Sequence, residues 1–184
     1  HAFTAEQKAH NVDYYERRTT RDSSLSACTQ AVMCAEVGYL ELAHDYAYEA
    51  ALTDLRDLHH NTRDGLHMAS LAGAWIALVE GFGGLRDDEG VLALNPQLPD
   101  GISCLRFRLR WKGFRLTVEA RHAEVTYTLR DGPDDSLSIR HAGRTIDVTT
   151  QAPTTVAVRR HHPLQPPPPQ PPGREPVRRH ARPD

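Results

Sequence analysis

At 184 residues, with 22 Lys and Arg against 24 Asp and Glu, the chain carries a formal charge of −2, and 39% of it is hydrophobic. That length suits one ordinary domain or two small ones with a packed core, and the near-neutral balance argues against a body built to bind nucleic acid. The charge is uneven: six arginines against Glu175 and Asp184 put +4 on the stretch from Arg159 onward, leaving −6 on the remainder. Three cysteines, Cys28, Cys34 and Cys104, form no CxxC pair or regular framework, which fits a reducing compartment. No apolar run reaches membrane-spanning length. The opening His1-Ala2-Phe3-Thr4 lacks an initiator Met and a signal-peptide pattern, so it reads as a piece of a longer, cytoplasmic protein.

The first half has helical periodicity. Thr4 followed by Gln7 is a capping-box pattern, and a short helix to about Tyr14 follows. Asp22, Ser23 and Ser24 offer N-cap side chains to a second helix. Its inner face is Leu25, Cys28, Ala31, Val32 and Ala35, and Gly38 suits its end. A third helix places Leu42, Ala43, Tyr46, Ala47 and Ala50 inward. A fourth, over 67–82, carries Met68, Leu71, Ala72, Trp75, Leu78, Val79 and Phe82, a stripe wide enough to predict deep burial. Gly81, Gly83 and Gly84 close it. Short loops between successive helices predict antiparallel neighbours.

Beyond Pro96 and Pro99 the period becomes two. Strands are predicted at Phe107-Leu109-Trp111, Phe114-Leu116-Val118, Val125-Tyr127-Leu129, Leu137-Ile139, Ile146-Val148 and Val156-Val158. Lys112-Gly113, Asp131-Gly132-Pro133 and Ala142-Gly143 supply turns. The expected result is an antiparallel sheet belonging to a sandwich. Nine of the thirteen prolines lie from His162 onward, which predicts an extended, disordered tail over 161–184.

The phrases Asn11-Val12-Asp13-Tyr14-Tyr15-Glu16, Asp22-Ser23-Ser24-Leu25-Ser26, Gly65-Leu66-His67-Met68-Ala69-Ser70 and Gly81-Phe82-Gly83-Gly84-Leu85-Arg86 occur in that order. Asn95-Pro96 and Leu98-Pro99 follow them. This ordered set resembles the end of the catalytic domain and the C-terminal domain of glycoside hydrolase family 65, with a tail similar to that of actinobacterial members. The resemblance implies an α+β fragment: residues 1–88 as the last helices of an (α/α)6 barrel, 89–160 as a small antiparallel β-sandwich, and 161–184 as the tail.

It also implies inverting phosphorolysis of an α-linked glucose disaccharide to β-glucose 1-phosphate. Ser23, Ser24 and His67 would hold inorganic phosphate, the co-substrate. No metal or other cofactor is implied, and no nucleic-acid or membrane partner; a homodimer is compatible with it. The family's general-acid glutamate lies upstream, so no catalytic residue is assigned here and the chain alone is expected to be inactive. Arg21 stands where family members commonly carry His.

The physics of the phosphate site is coherent by itself, because hydroxyls beside the free N–H groups of a helix start favour an anion. On local sequence alone, the serines would be caps and His67 structural. Glu36, Glu41, Glu49 and Glu80 read as solvated helix surface. His59, His60, Asp64 and His67 lie close in sequence without a spaced ligand motif, and read as loop histidines. The alternatives are a trehalase-like O-glycosyl hydrolase of the same family, a non-catalytic carbohydrate-binding or structural module, and docking through the proline tail.

Overall fold

The computed structural model describes residues 3–179 and divides the chain into two compact units, His1–Gly81 with His161–Asp184, and Phe82–Arg160. Expectations for residues 1–2 and 180–184 lie outside the described residues.

The first unit holds four helices: α1 (Ala5–Glu16), α2 (Ser26–Glu36), α3 (Leu40–Leu52) and α4 (Met68–Ile76). Thr4 and Gln7 form both halves of a capping box on α1. Helix α2 ends in a Schellman motif. Gly38 takes φ 89°, its N–H bonds the Ala35 carbonyl at 3.1 Å, and the Tyr39 N–H bonds that of Cys34 at 2.9 Å. The chain thereby turns straight into α3, whose buried face is Leu42, Ala43, Asp45, Tyr46, Ala47 and Ala50.

Helix α4 corrects the predicted burial. The large residues Met68, Leu71, Trp75 and Leu78 are exposed, Met68 and Trp75 by 70% and 53%. Val79 and Phe82 of the predicted stripe are buried, and along α4 the buried face carries Ser70, Gly73 and Ala77. Small residues win the interior because the helices approach closely there: a Cβ at Gly73 would lie 2.5 Å from Cys28 Sγ. The predicted single helix also changes pitch, with Ala77–Phe82 forming a π-helical segment.

The second unit has eight strands: β1 (Arg86–Asp88), β2 (Val91–Leu94), β3 (Leu105–Trp111), β4 (Phe114–Ala120), β5 (Glu124–Asp131), β6 (Ser136–His141), β7 (Arg144–Thr149) and β8 (Thr154–Ala157). They form two four-stranded sheets, in the orders β1-β2-β6-β7 and β3-β4-β5-β8. The six predicted strands are present. β1 and β2, upstream of the prolines, add two more, and β2 pairs with β6 in parallel, so the expectation of a wholly antiparallel sheet is corrected.

Lys112-Gly113 and Ala142-Gly143 each place both residues at positive φ, the two-residue hairpin geometry that suits strand twist. Across the sheets, the Tyr127 hydroxyl lies 2.8 Å from His141 Nδ1, while His141 Nε2 reaches the Ala157 carbonyl at 3.2 Å. A neutral imidazole satisfies both contacts, with Nε2–H donating and Nδ1 accepting. Burial lowers the His141 pKa below its ordinary value. Its stabilising contribution is therefore present above the ordinary imidazole pKa and is lost as pH falls.

No helix among the described residues is long and apolar enough to cross a membrane. Gly73→Ala separates two opposing effects: higher helix propensity, worth about 1 kcal/mol, and overpacking against Cys28. The clash prevails, and the variant loses about 1–3 kcal/mol in denaturant unfolding.

Candidate functional site

The geometry begins with helix direction. Gly73 of α4 meets Cys28 of α2, and Gly81 in the π segment lies close to Val32 and Ala35, 3.6 Å from its would-be Cβ to Val32 Cα. Both sequences ascend together, so α2 and α4 run parallel. Helix α3 is antiparallel to both: the tight turn at Gly38 reverses the chain after α2, and along α4 the partners descend, from His67 beside Asp54 to Ser70 Oγ donating to the Ala50 carbonyl at 3.3 Å. The starts of α2 and α4 thus lie at the same end, one preceded by Ser23 and Ser24, the other by His67. The positive ends of two helix dipoles share that end.

The serines are not helix caps of the expected kind. Leu25 is the N-cap residue of α2 and no side chain caps it. Ser23 Oγ accepts from the Leu25 N–H at 3.2 Å, while the Ser23 carbonyl accepts from the Ser26 N–H at 3.0 Å. Ser23 is exposed and Ser24 half-buried.

His67 is oriented by Asp54, 13 residues upstream. One Asp54 oxygen lies 2.6 Å from His67 Nδ1, and the other accepts the His67 backbone N–H at 2.9 Å. The ring hydrogen bond, with the backbone one, holds the Asp54 carboxyl below its usual pKa. That stabilisation is in place above the ordinary carboxylate pKa and is lost as pH falls through the folded value. Nδ1 is engaged, which leaves Nε2 as the nitrogen available to a ligand. The His59 ring lies 5.6 Å from that of His67. Among the described residues, no group of three or more His, Cys, Asp or Glu is placed to hold a metal ion.

Arg21 sits in a left-handed backbone conformation at φ 58° directly before the serine turn. Its guanidinium pairs with Glu49, donates to Gln30 Oε1 at 3.1 Å and lies 4.8 Å from the Tyr46 ring centroid. Both partners are largely buried, their side chains 7% and 16% exposed. Glu49 is therefore not the solvated surface residue its spacing suggested. Beneath this pair, the buried Glu16 carboxylate accepts from Gln30 at 3.0 Å and from the Tyr46 hydroxyl. Burial, followed by Glu16, raises the Tyr46 pKa strongly.

The tail completes the network. Residues 161–179 have neither helix nor strand, and hydrogen bonds link the segment to the helices. Gln170 Nε2 donates to Glu16 at 3.2 Å, and the Val177 N–H to Glu49 at 2.8 Å. Arg174 reaches Asp22 at 2.7 Å, and its carbonyl accepts from Arg21 at 2.6 Å. Arg179 pairs with Asp45 at 2.8 Å and Glu41 at 2.6 Å. Hydrogen bonds from Thr20 and then Arg174 hold the Asp22 carboxyl below its usual pKa. The basic tail and the acidic body, opposite in charge along the sequence, are complementary in space.

Residues 1–76 match the glycosyl hydrolase family 65 central catalytic domain, and residues 85–148 match the C-terminal domain of the same family. The chain belongs to glycoside hydrolase family 65. It is 78% identical over 181 residues to an uncharacterized glycosyl hydrolase of Mycobacterium leprae, covering 98% of this chain and 23% of that protein. It is 38% identical over 143 residues to an α,α-trehalose phosphorylase of Geobacillus stearothermophilus, covering 78% of this chain and 18% of that protein. A solved structure assigned as a kojibiose phosphorylase, from the human microbiome, superposes with a TM-score of 0.78 at 30% identity, covering 84% of this chain and 22% of that one. The chain thus spans about a quarter or less of the length of these relatives.

Removing a buried charge partner exposes the other to full desolvation. Arg21→Ala, which leaves the Glu49 carboxylate the Val177 N–H but no charge partner, is expected to cost about 3 kcal/mol in chemical denaturation. A loss within experimental error would show the pair to be solvated.

Proposed function

We propose that this chain is the C-terminal part of a longer inverting phosphorylase that cleaves an α-linked glucose disaccharide, such as trehalose or kojibiose, and releases β-glucose 1-phosphate. In this reading Ser23, Ser24 and His67 hold inorganic phosphate. The observation that carries it is the parallel packing of α2 and α4, which puts the serine turn and His67 at the positive ends of two neighbouring helices.

The division of labour follows from charge. Phosphate brings its own nucleophilic oxygen, so the protein needs no carboxylate base here, only donors that orient the anion. The Ser23 and Ser24 hydroxyls and His67 Nε2 are such donors, and Asp54 keeps the imidazole aligned. The general acid belongs to the part of the protein that precedes these residues, so the isolated chain is inactive.

The helices, in the same reading, are the last of an (α/α)6 barrel. The alternation of parallel α2 and α4 with antiparallel α3 supports this. So does the apolar stripe Met68, Leu71, Trp75 and Leu78, which faces solvent here and would pack against preceding helices in the longer protein. The names of the phosphorylase relatives and the retained serine pair favour phosphorolysis over hydrolysis.

The test uses the whole protein with trehalose, kojibiose, maltose or nigerose, with and without inorganic phosphate. β-Glucose 1-phosphate is expected only with phosphate, and Ser23→Ala/Ser24→Ala is expected to lower kcat/KM for phosphate by about a hundredfold. Free glucose released at the same rate without phosphate would assign the protein to the hydrolases.

A further inference from the structure

The outer face of the β3-β4-β5 sheet carries a concentration of charge that the proposed reaction does not use. Along β3 the buried residues Leu105 and Phe107 alternate with exposed Arg106, Arg108 and Arg110. The ladder sets Arg108 opposite Thr117 and Arg110 directly opposite Arg115, with Arg115 in turn opposite Asp131. A bulge between Arg115 and Leu116 distorts the register. Arg108, Arg110, Arg115 and Arg130 then line one open groove of about 640 Å³ with Leu109, Leu116, Thr117 and Asp131. Four arginines against one aspartate leave the groove strongly cationic.

Two features of this groove are costly unless something else occupies it. Like charges directly opposite on neighbouring strands repel. Arg115 is offset by Asp131, at 2.7 Å between Nε and Oδ1, whereas Arg110, which also acts on the Asp131 carboxylate through its charge, stands opposite Arg115 with no hydrogen-bonded ion pair among the described residues. Thr117, also lining the groove, is 4% exposed, and its Oγ1 has no hydrogen-bond partner. A buried hydroxyl without a partner has lost its water and gained nothing in return. An oxyanion in the groove answers both needs, by accepting from Thr117 and by spreading its charge among the guanidinium groups, whose planar donors suit phosphate oxygens.

We propose that this groove is a second anion site, separate from the serine turn, which takes a phosphate-sized oxyanion, either free inorganic phosphate or the phosphate end of a sugar monophosphate. The volume lies in the range of small-molecule sites. The arginines Arg106 and Arg121 do not contribute, since both lean on Glu119 at 3.8 and 3.0 Å. The site is confined to one sheet, so it does not depend on the phosphorylase reading.

The experiment is equilibrium dialysis of the whole protein against radiolabelled inorganic phosphate, in wild type, Arg108→Gln/Arg130→Gln, Thr117→Val and Ser23→Ala/Ser24→Ala. Wild type is expected to bind phosphate at the groove, and the arginine double variant to weaken that site about tenfold or more. Thr117→Val, which keeps the shape and removes the hydroxyl, should weaken it several-fold. Neither arginine substitution touches the sheet interior, so thermal unfolding of the double variant should match wild type. In the serine double variant, displacement by glucose 6-phosphate at concentrations below those of free phosphate identifies a sugar monophosphate as the occupant, and displacement only at higher concentrations identifies inorganic phosphate. Phosphate binding that survives unchanged in both groove variants would overturn the proposal. Binding lost only in the serine variant would overturn it equally, while supporting the phosphate role of the serines. Binding lost only in the groove variants would support this site and count against that role.

Discussion

The close parallel packing of α2 against α4 is the constraint on which the helical unit depends. It is possible because Gly73 presents no side chain where Cys28 sits, and because Ser70 and Ala77 keep the rest of that face small. Parallel neighbours cannot be joined by a short loop, so α3 must return between them, and the Schellman turn at Gly38 starts that return without wasted chain. Two helix starts are thereby left side by side. A place where the positive ends of two helix dipoles lie together favours an anion before any side chain is considered.

Around this frame the charged groups are arranged in layers. Asp54 aligns His67 from just past the end of α3, and Arg21 ties the turn before α2 to Glu49 in the last turn of α3. The tail adds an outer layer by pairing with Asp22, Glu41, Asp45 and Glu49. The similarity to the trehalose phosphorylase covers 143 residues, whereas that to the Mycobacterium leprae protein extends over 181. The strap that steadies the Arg21–Ser24 turn therefore includes chain beyond the family's C-terminal domain, which matches 85–148. Arg21 meets this strap through the Arg174 carbonyl.

Local patterns in the sequence were informative where the interaction itself was local. The Thr4–Gln7 box, the Gly38 stop and the hairpin turns at Lys112-Gly113 and Ala142-Gly143 all depend on residues a few positions apart. The burial of α4 was misread because a hydrophobic stripe says which face avoids water, not which face finds a neighbour within this length of chain. Strands β1 and β2 were missed because one is short and acidic and both precede the prolines taken as the boundary. The Asp54–His67 and Arg21–Glu49 pairs span 13 and 28 residues, and no periodicity connects residues that far apart. The tail's contacts with the helices are as remote in sequence. Proline content reports backbone stiffness, whereas its placement comes from distant acidic partners.

The most direct measurement is the crystal structure of the whole protein soaked with inorganic phosphate. The account predicts a phosphate between the two helix starts, with oxygens about 2.7–3.1 Å from the Ser23 and Ser24 hydroxyls and from His67 Nε2. Phosphate bound in the catalytic cleft but away from all three side chains would contradict it, and would leave the parallel helices with a purely structural purpose.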